Sequence, residues 1–261
     1  MTTATLMGKN QVSEQDVFNV PAVPFTKTFH PIHHGDVIRS IKEAIGIVGM
    51  EIVRSEYVLA QGDMQMFGVF DLSQGTSELS WSIGIRNSMN KSLSLGITAG
   101  TRVFVCENLC FSGEFLAFRK HTSGLDVDEL AFLAYRSMRK MIPLLHSFQA
   151  WHEGLKQYEL PEADAKILLV ELITQSVFPA SWFPRFYDLY FNSAYDNTLW
   201  GFHESVTNVL KDSNLITLPK KNRLLNAILN QHIEGMNAEL PSSLGDFYEN
   251  RARLSLPRTI N

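Results

Sequence analysis

Cysteine is almost missing from this chain. Cys106 and Cys110 are the only two in 261 residues, which fits a reducing compartment rather than a disulfide scaffold. Zinc ribbons need two such pairs, so a lone C-x3-C reads as two buried thiols, and no metal centre is expected there. An excess of cations is also missing. The formal charge is −4, which argues against a dedicated duplex-DNA binder but leaves room for a local basic groove. No apolar run approaches the roughly 20 residues that cross a bilayer. The first ten residues, MTTATLMGKN, carry no apolar signal core, so a soluble cytoplasmic protein without membrane association is expected. Three catalytic signatures are missing too: G-x-S-x-G, the phosphate-binding G-x-x-x-x-G-K-[ST] and the dinucleotide G-x-G-x-x-G. No cofactor is expected. Repeats and low-complexity tracts are likewise not found.

What is present is a globular composition, 45% hydrophobic and 19% charged, long enough for one large domain. Residues 1–24 are polar and end in Pro21-Ala-Val-Pro24, and read as an extended arm. Residues 25–240 read as a single α+β domain, sheet-rich over 50–122 and helical over 123–240, followed by an irregular tail at 241–261. Asp36 is placed to cap a helix to about Val48, on which Val37, Ile38, Ile41, Ala44, Ile45 and Val48 recur at helical spacing. From Met50 the period drops to near two. EIVRSEYVLA and MQMFGVFDL form a hairpin across Gln61-Gly62-Asp63, and ELSWSIGIRNS is a third strand. Met89–Ala99 suits either a short helix or a broken strand. TRVFVCENL and GEFLAFRKH are read as strands on either side of a Phe111-Ser-Gly113 turn.

Asp126-Val-Asp-Glu129 resembles a capping box before a helix that Pro143 should kink or interrupt. Further helices start at Pro161-Glu162, at Thr198 and near Lys220. The aromatic run Trp182–Trp200, split by Pro184, is core or a subunit contact. Val37, Ile41, Ile45, Val53, Trp81, Ile83, Val103, Val105, Leu130, Leu133, Leu169 and Leu172 are expected to be buried.

The chemistry concentrates in Ser82–Thr122. Arg86, Lys91, Arg102, Arg119 and Lys120 fall there against only Glu107 and Glu114, with Asn87, Ser88, Asn90 and Ser92 as neutral donors. Such groups can follow a phosphodiester backbone. Trp81, Phe104, Phe111 and Phe118 either stack on unpaired bases or belong to the core. His121 beside Arg119 is either a general acid or base or a tie between a strand end and the next helix. His30, His33 and His34 match no closed zinc spacing and read as a loop that packs on a helix. The candidate nucleic-acid or anion site is therefore Arg86, Asn87, Ser88, Lys91, Arg102, Arg119, Lys120 and His121. Arg86-Asn87-Ser88 and Arg119-Lys120-His121 are expected on one face.

Four motifs stand in order: Arg86-Asn87-Ser88 with the small polar residues after it, Val105-Cys106-Glu107-Asn108, Arg119-Lys120-His121-Thr122 and Thr198-Leu199-Trp200. Together, over Gly35 to Lys211, they resemble a phage- and plasmid-borne family, the domain of unknown function family numbered 932. The chain departs from the family's Asn-Ala at Glu204-Ser205. The resemblance implies a mobile-element origin and a location in the bacterial cytoplasm, and no particular activity. The order of elements is loosely like that of single-strand annealing proteins. The reading this favours is a binder or annealer of single-stranded nucleic acid, forming a homo-oligomer. The alternatives are a hydrolase or transferase centred on Arg86, Asn87 and His121, and a protein that binds a host factor.

Overall fold

The computed structural model describes residues 11–103, 109–121, 127–192 and 195–235; the side chains of 103–118 and 127 are outside this description. It shows the expected α+β architecture. The strands are β1 (Gln11–Val12), β2 (Ile52–Ala60), β3 (Gln65–Gly75), β4 (Leu79–Ser88), β5 (Leu95–Val103) and β6 (Leu109–Arg119). They form one antiparallel sheet in the order β1-β2-β3-β4-β5-β6, each strand beside its neighbour in sequence. The helices are α1 (Glu14–Phe18), α2 (His34–Ile47), α3 (Val127–Leu155), α4 (Glu162–Thr174), α5 (Phe183–Phe191), α6 (Leu199–Leu210) and α7 (Leu218–Gly235). None of the described helices is long and apolar enough to cross a membrane.

Strand pleating sends alternate residues to opposite faces. Tyr57, Leu59, Met66, Phe70, Trp81, Ile83, Ile85, Leu95 and Ile97 share a core with α2 and the first two-thirds of α3. Val58, Ala60, Phe67 and Val69 point the other way, into a second core with the end of α3 and with α4 to α7. Trp81 belongs to the first core. It is buried, and its Nε1–H donates to Gln149 Oε1 at 2.9 Å, so it is no stacking platform.

Several local expectations are corrected. The segment before Pro24 is not simply extended: β1 joins the sheet edge and α1 folds beside it, with Val17 and Val20 buried. A Ser13–Asp16 capping box starts α1, and Glu14 accepts from Lys42 and from the Tyr57 hydroxyl at 2.5 and 2.9 Å. The cap of α2 is His33 rather than Asp36, which pairs with Arg39 in the first turn. Val53 is 59% exposed because it is the extra residue where the β2–β3 register shifts between Ile52 and Arg54. Phe111–Gly113 lies within β6, not in a turn; the β5–β6 register is broken beside it, between Thr98 and Gly100. Pro143 sits inside α3 without ending it, on the exposed side, where the carbonyl it leaves unbonded can meet water. Pro184 opens α5 instead of splitting it. Leu133 is partly buried. Val105, Cys106, the side chains of Val103 and Cys110, and the tail at 241–261 lie outside the described residues.

Covering both faces of an antiparallel sheet forces its polar side chains to find partners inside the protein. Arg102, with 6% of its side chain exposed, lies between two carboxylates from neighbouring strands. Its Nη2 is 2.5 Å from Glu56 Oε2, and its Nε is 2.8 Å from Asp71 Oδ2. The second contact is an ion pair without an aligned N–H. Ser82 Oγ donates to Asp71 at 2.6 Å, and Arg54 reaches Glu56 at 2.8 Å.

Arg102→Leu would strand two buried carboxylates. It should lower unfolding free energy by about 3–5 kcal/mol, whereas Val53→Thr, at an exposed bulge, should change it by less than about 0.5 kcal/mol. Urea titrations of both variants measure this; equal midpoints would show that the ion pairs contribute nothing.

Candidate functional site

The residues singled out in the sequence do not form one cluster. Their positions follow from strand register. On β4, Arg86 lies opposite Phe67 and Gly96 and shares their face, the same face as Val58 and Val69. Asn87, next in sequence, points to the α2 side. Arg119 pairs with Leu95 and so shares the α2–α3 side, where its Nη2 is 3.6 Å from Glu129 Oε1 on α3. Arg86 and Arg119 thus occupy the same end of the sheet but opposite faces. Arg102 pairs with Ser80, six residues along β4 from Arg86, or about 20 Å at the strand rise. It is committed to its carboxylates and belongs to no ligand site.

What the fold does bring together is a small polar chamber where α2 meets the sheet end. Gln61, Gly62 and Asp63 turn the β2–β3 hairpin with φ of 57°, 62° and 65°. That left-handed conformation is free for glycine and costs Gln61 on the order of 1 kcal/mol. The turn aims the Asp63 carbonyl at His34, whose Nε2 lies 3.0 Å away. The Asn87 amide nitrogen donates twice, to Ile32 O at 2.9 Å and to His34 Nδ1 at 2.8 Å. These bonds assign His34 a neutral ring with its proton on Nε2. Burial pushes its pKa down to about 4, in agreement with that tautomer. His33 Nδ1 accepts from Gly35 N at 3.1 Å, and its Nε2 is 2.7 Å from Val20 O.

His121 closes the chamber. It is buried, and burial lowers its pKa. Among the described residues, neither ring nitrogen has a hydrogen-bond partner, and neither does Asn87 Oδ1. Phe29 meets the His121 ring edge-on at 5.9 Å, Lys91 Nζ stands 5.0 Å from the Phe29 centroid, and His30 N donates to His121 O at 3.3 Å. Phe25, 75% exposed, packs on the His30 ring at 5.2 Å. Lys91, Arg119 and Lys120 are solvent-exposed, the last two immediately before His121 in the chain. Ser88 is not a ligand donor. Its hydroxyl holds the turn after β4 by bonds to Leu93 N and O at 3.1 and 3.0 Å, and Ser92 is held by Asn90 and Gln65.

Two further polar features lay outside the sequence reading. His152 and His203 are buried with ring centroids 5.0 Å apart, beside Trp151, Trp200 and Glu204. Burial, with the neighbouring His203 and Lys156, holds His152 well below its ordinary pKa. No described group of three His, Cys, Asp or Glu residues is arranged to hold a metal ion. An open cleft of about 580 Å³ is lined by Glu159, Glu162, Asp196, Asn197 and Thr198. Its three carboxylates repel phosphate, and none of the chamber residues lines it.

Comparison with family models, with curated proteins and with solved structures finds no match to this chain.

His34 generates a pH prediction. Its folded pKa lies below the unfolded value of about 6.5, so protons favour the unfolded chain. Its contribution is complete above pH 6.5 and declines as pH falls toward 4, by up to roughly 3 kcal/mol. His34→Gln should therefore show a shallower loss of stability between pH 7 and 4.5 in urea titrations. A slope equal to that of the wild type would mean that His34 is solvated or charged.

Proposed function

We propose that the sheet end binds a single strand of nucleic acid through its phosphates. The observation that carries this reading is the exposed Lys91 standing 5.0 Å from the Phe29 ring, with exposed Arg119 and Lys120 immediately before His121, whose carbonyl bonds to His30 in the loop that also carries the exposed Phe25. Cations track the backbone and give binding its salt dependence. An exposed aromatic ring offers a face to an unstacked base without demanding a sequence. Arg119 makes an exposed, long pair with Glu129. Such pairs contribute little and yield to a phosphate, which binds guanidinium in two-pronged fashion. The four ordered motifs support the setting: a phage or plasmid protein acting on single strands during replication or recombination in the bacterial cytoplasm. Arg86, on the opposite face, and Arg102, in its ion-pair network, have no part in this site.

A second reading has one specific observation behind it. The His121 ring, buried against Phe29 with its pKa lowered by burial, has the form of a general base. A hydrolase would yield shortened strands that disappear in His121→Ala; a binder returns the strand intact.

Fluorescence anisotropy with a labelled oligonucleotide tests the binding reading. Lys91→Ala/Lys120→Ala should weaken binding at low salt and reduce the slope of log K against log salt by about 0.7 per lost contact. Lys140→Ala, on an exposed turn of α3, should bind as wild type. Absence of wild-type binding at low salt, or a double variant equal to wild type, would overturn it.

A further inference from the structure

Helix α4 is apolar on two sides. Ala165, Leu168, Leu169 and Leu172 are buried in the second core. A second stripe, Ala163, Ile167, Val170 and Thr174, advances by four, three and four residues and stays in solvent. Ile167 is 65% and Val170 61% exposed. Scattered surface apolar residues need no explanation. A continuous seam at this spacing does, because it is the geometry by which one helix packs along another. Helix α5 widens the surface. Phe183, Tyr187 and Phe191 form a ladder along it with ring centroids 5.7 and 4.8 Å apart, and Lys166 Nζ of α4 stands 5.9 Å from the Phe191 ring.

We infer that this surface is a homodimer contact, in which α4 lies parallel to α4 of a second copy. The charges beside the seam select that occupant. With Ile167 and Thr174 at heptad position a, and Ala163 and Val170 at d, Lys166 falls at g and Glu171 at e. In a parallel pair, g faces the e position five residues on in the other helix. Lys166 of each copy then meets Glu171 of the other, twice by two-fold symmetry. An antiparallel pair would instead set Asp164 against Glu171. Lys166 is engaged at 2.5 Å with Glu162 one turn earlier. Both side chains are more than half exposed, so exchanging that partner costs little. The inference is independent of nucleic-acid binding, since the sheet-end chamber contributes no residue to this surface.

Sedimentation velocity of the full chain, without nucleic acid and over roughly 1–100 μM, tests it. Wild type should pass from monomer to dimer within that range. Ile167→Asp, at a solvent-exposed position, should remain monomeric with unchanged circular dichroism. Lys166→Glu should raise the dissociation constant about fivefold, the loss of two exposed charge pairs, and Lys166→Glu/Glu171→Lys should restore it. A wild type that stays monomeric overturns the inference and assigns the seam to another kind of partner. A dimer indifferent to Ile167→Asp, or a charge exchange without recovery, overturns it equally.

Discussion

A sheet covered on both sides leaves little of its strand faces to water, and that constraint governs where polar groups can stand. An antiparallel meander commonly keeps one wet face and alternates apolar with polar residues. Here Ser80, Ser82, Thr98, Arg102 and Asp71 are all buried on the face opposite α2. Each needs an internal partner or carries a desolvation penalty of about 1–3 kcal/mol, more if charged. Arg102, Asp71 and Glu56 resolve it by mutual ion pairing across β2 to β5. The network fixes strand register as well as charge, because a one-residue slip would send Arg102 to the α2 side, away from both carboxylates.

The same rule operates at the sheet end with neutral groups. His34 is buried without a charged partner, so it stays unprotonated and serves as an acceptor for Asn87. Asn87 uses both amide hydrogens to fix the loop before α2 to the sheet. The loop thereby holds Phe25, Phe29 and His30 beside Lys91 and His121. A rigid neutral interior carrying a cationic, partly aromatic rim is thus a consequence of how α2 docks. Under the proposed reading, the role of Asn87 and His34 is to position that loop.

The sequence made some of this legible. The fold class, the hairpin at Gln61–Asp63, the apolar stripe of α2 and the Thr198 cap of α6 rest on local periodicity and turn chemistry, which a single chain displays. Val53 escaped because a bulge is a property of two strands: nothing in IVRSEYVLA marks the residue that its partner fails to match. Gly113 was misread for a related reason, since glycine punctuates turns and strand irregularities alike. Among the site residues, Arg86 and Arg102 look equivalent in sequence, each a basic residue in a strand. Only the carboxylates that register brings to Arg102 separate them, and Glu56 stands 46 residues away. Likewise His34 read as a loop histidine because its partner Asn87 is 53 positions distant.

The proposed binding confines ligand contact to the end of the sheet where α2 docks. Amide hydrogen exchange of the full chain, with and without a saturating single-stranded oligonucleotide, tests it most directly. Slowed exchange is expected in residues 25–34, 88–93 and 119–121, with the Arg102 network and the acidic cleft at 159–162 and 196–198 unchanged. Protection centred on that cleft, or no protection at the sheet end in a complex known to form, would contradict it.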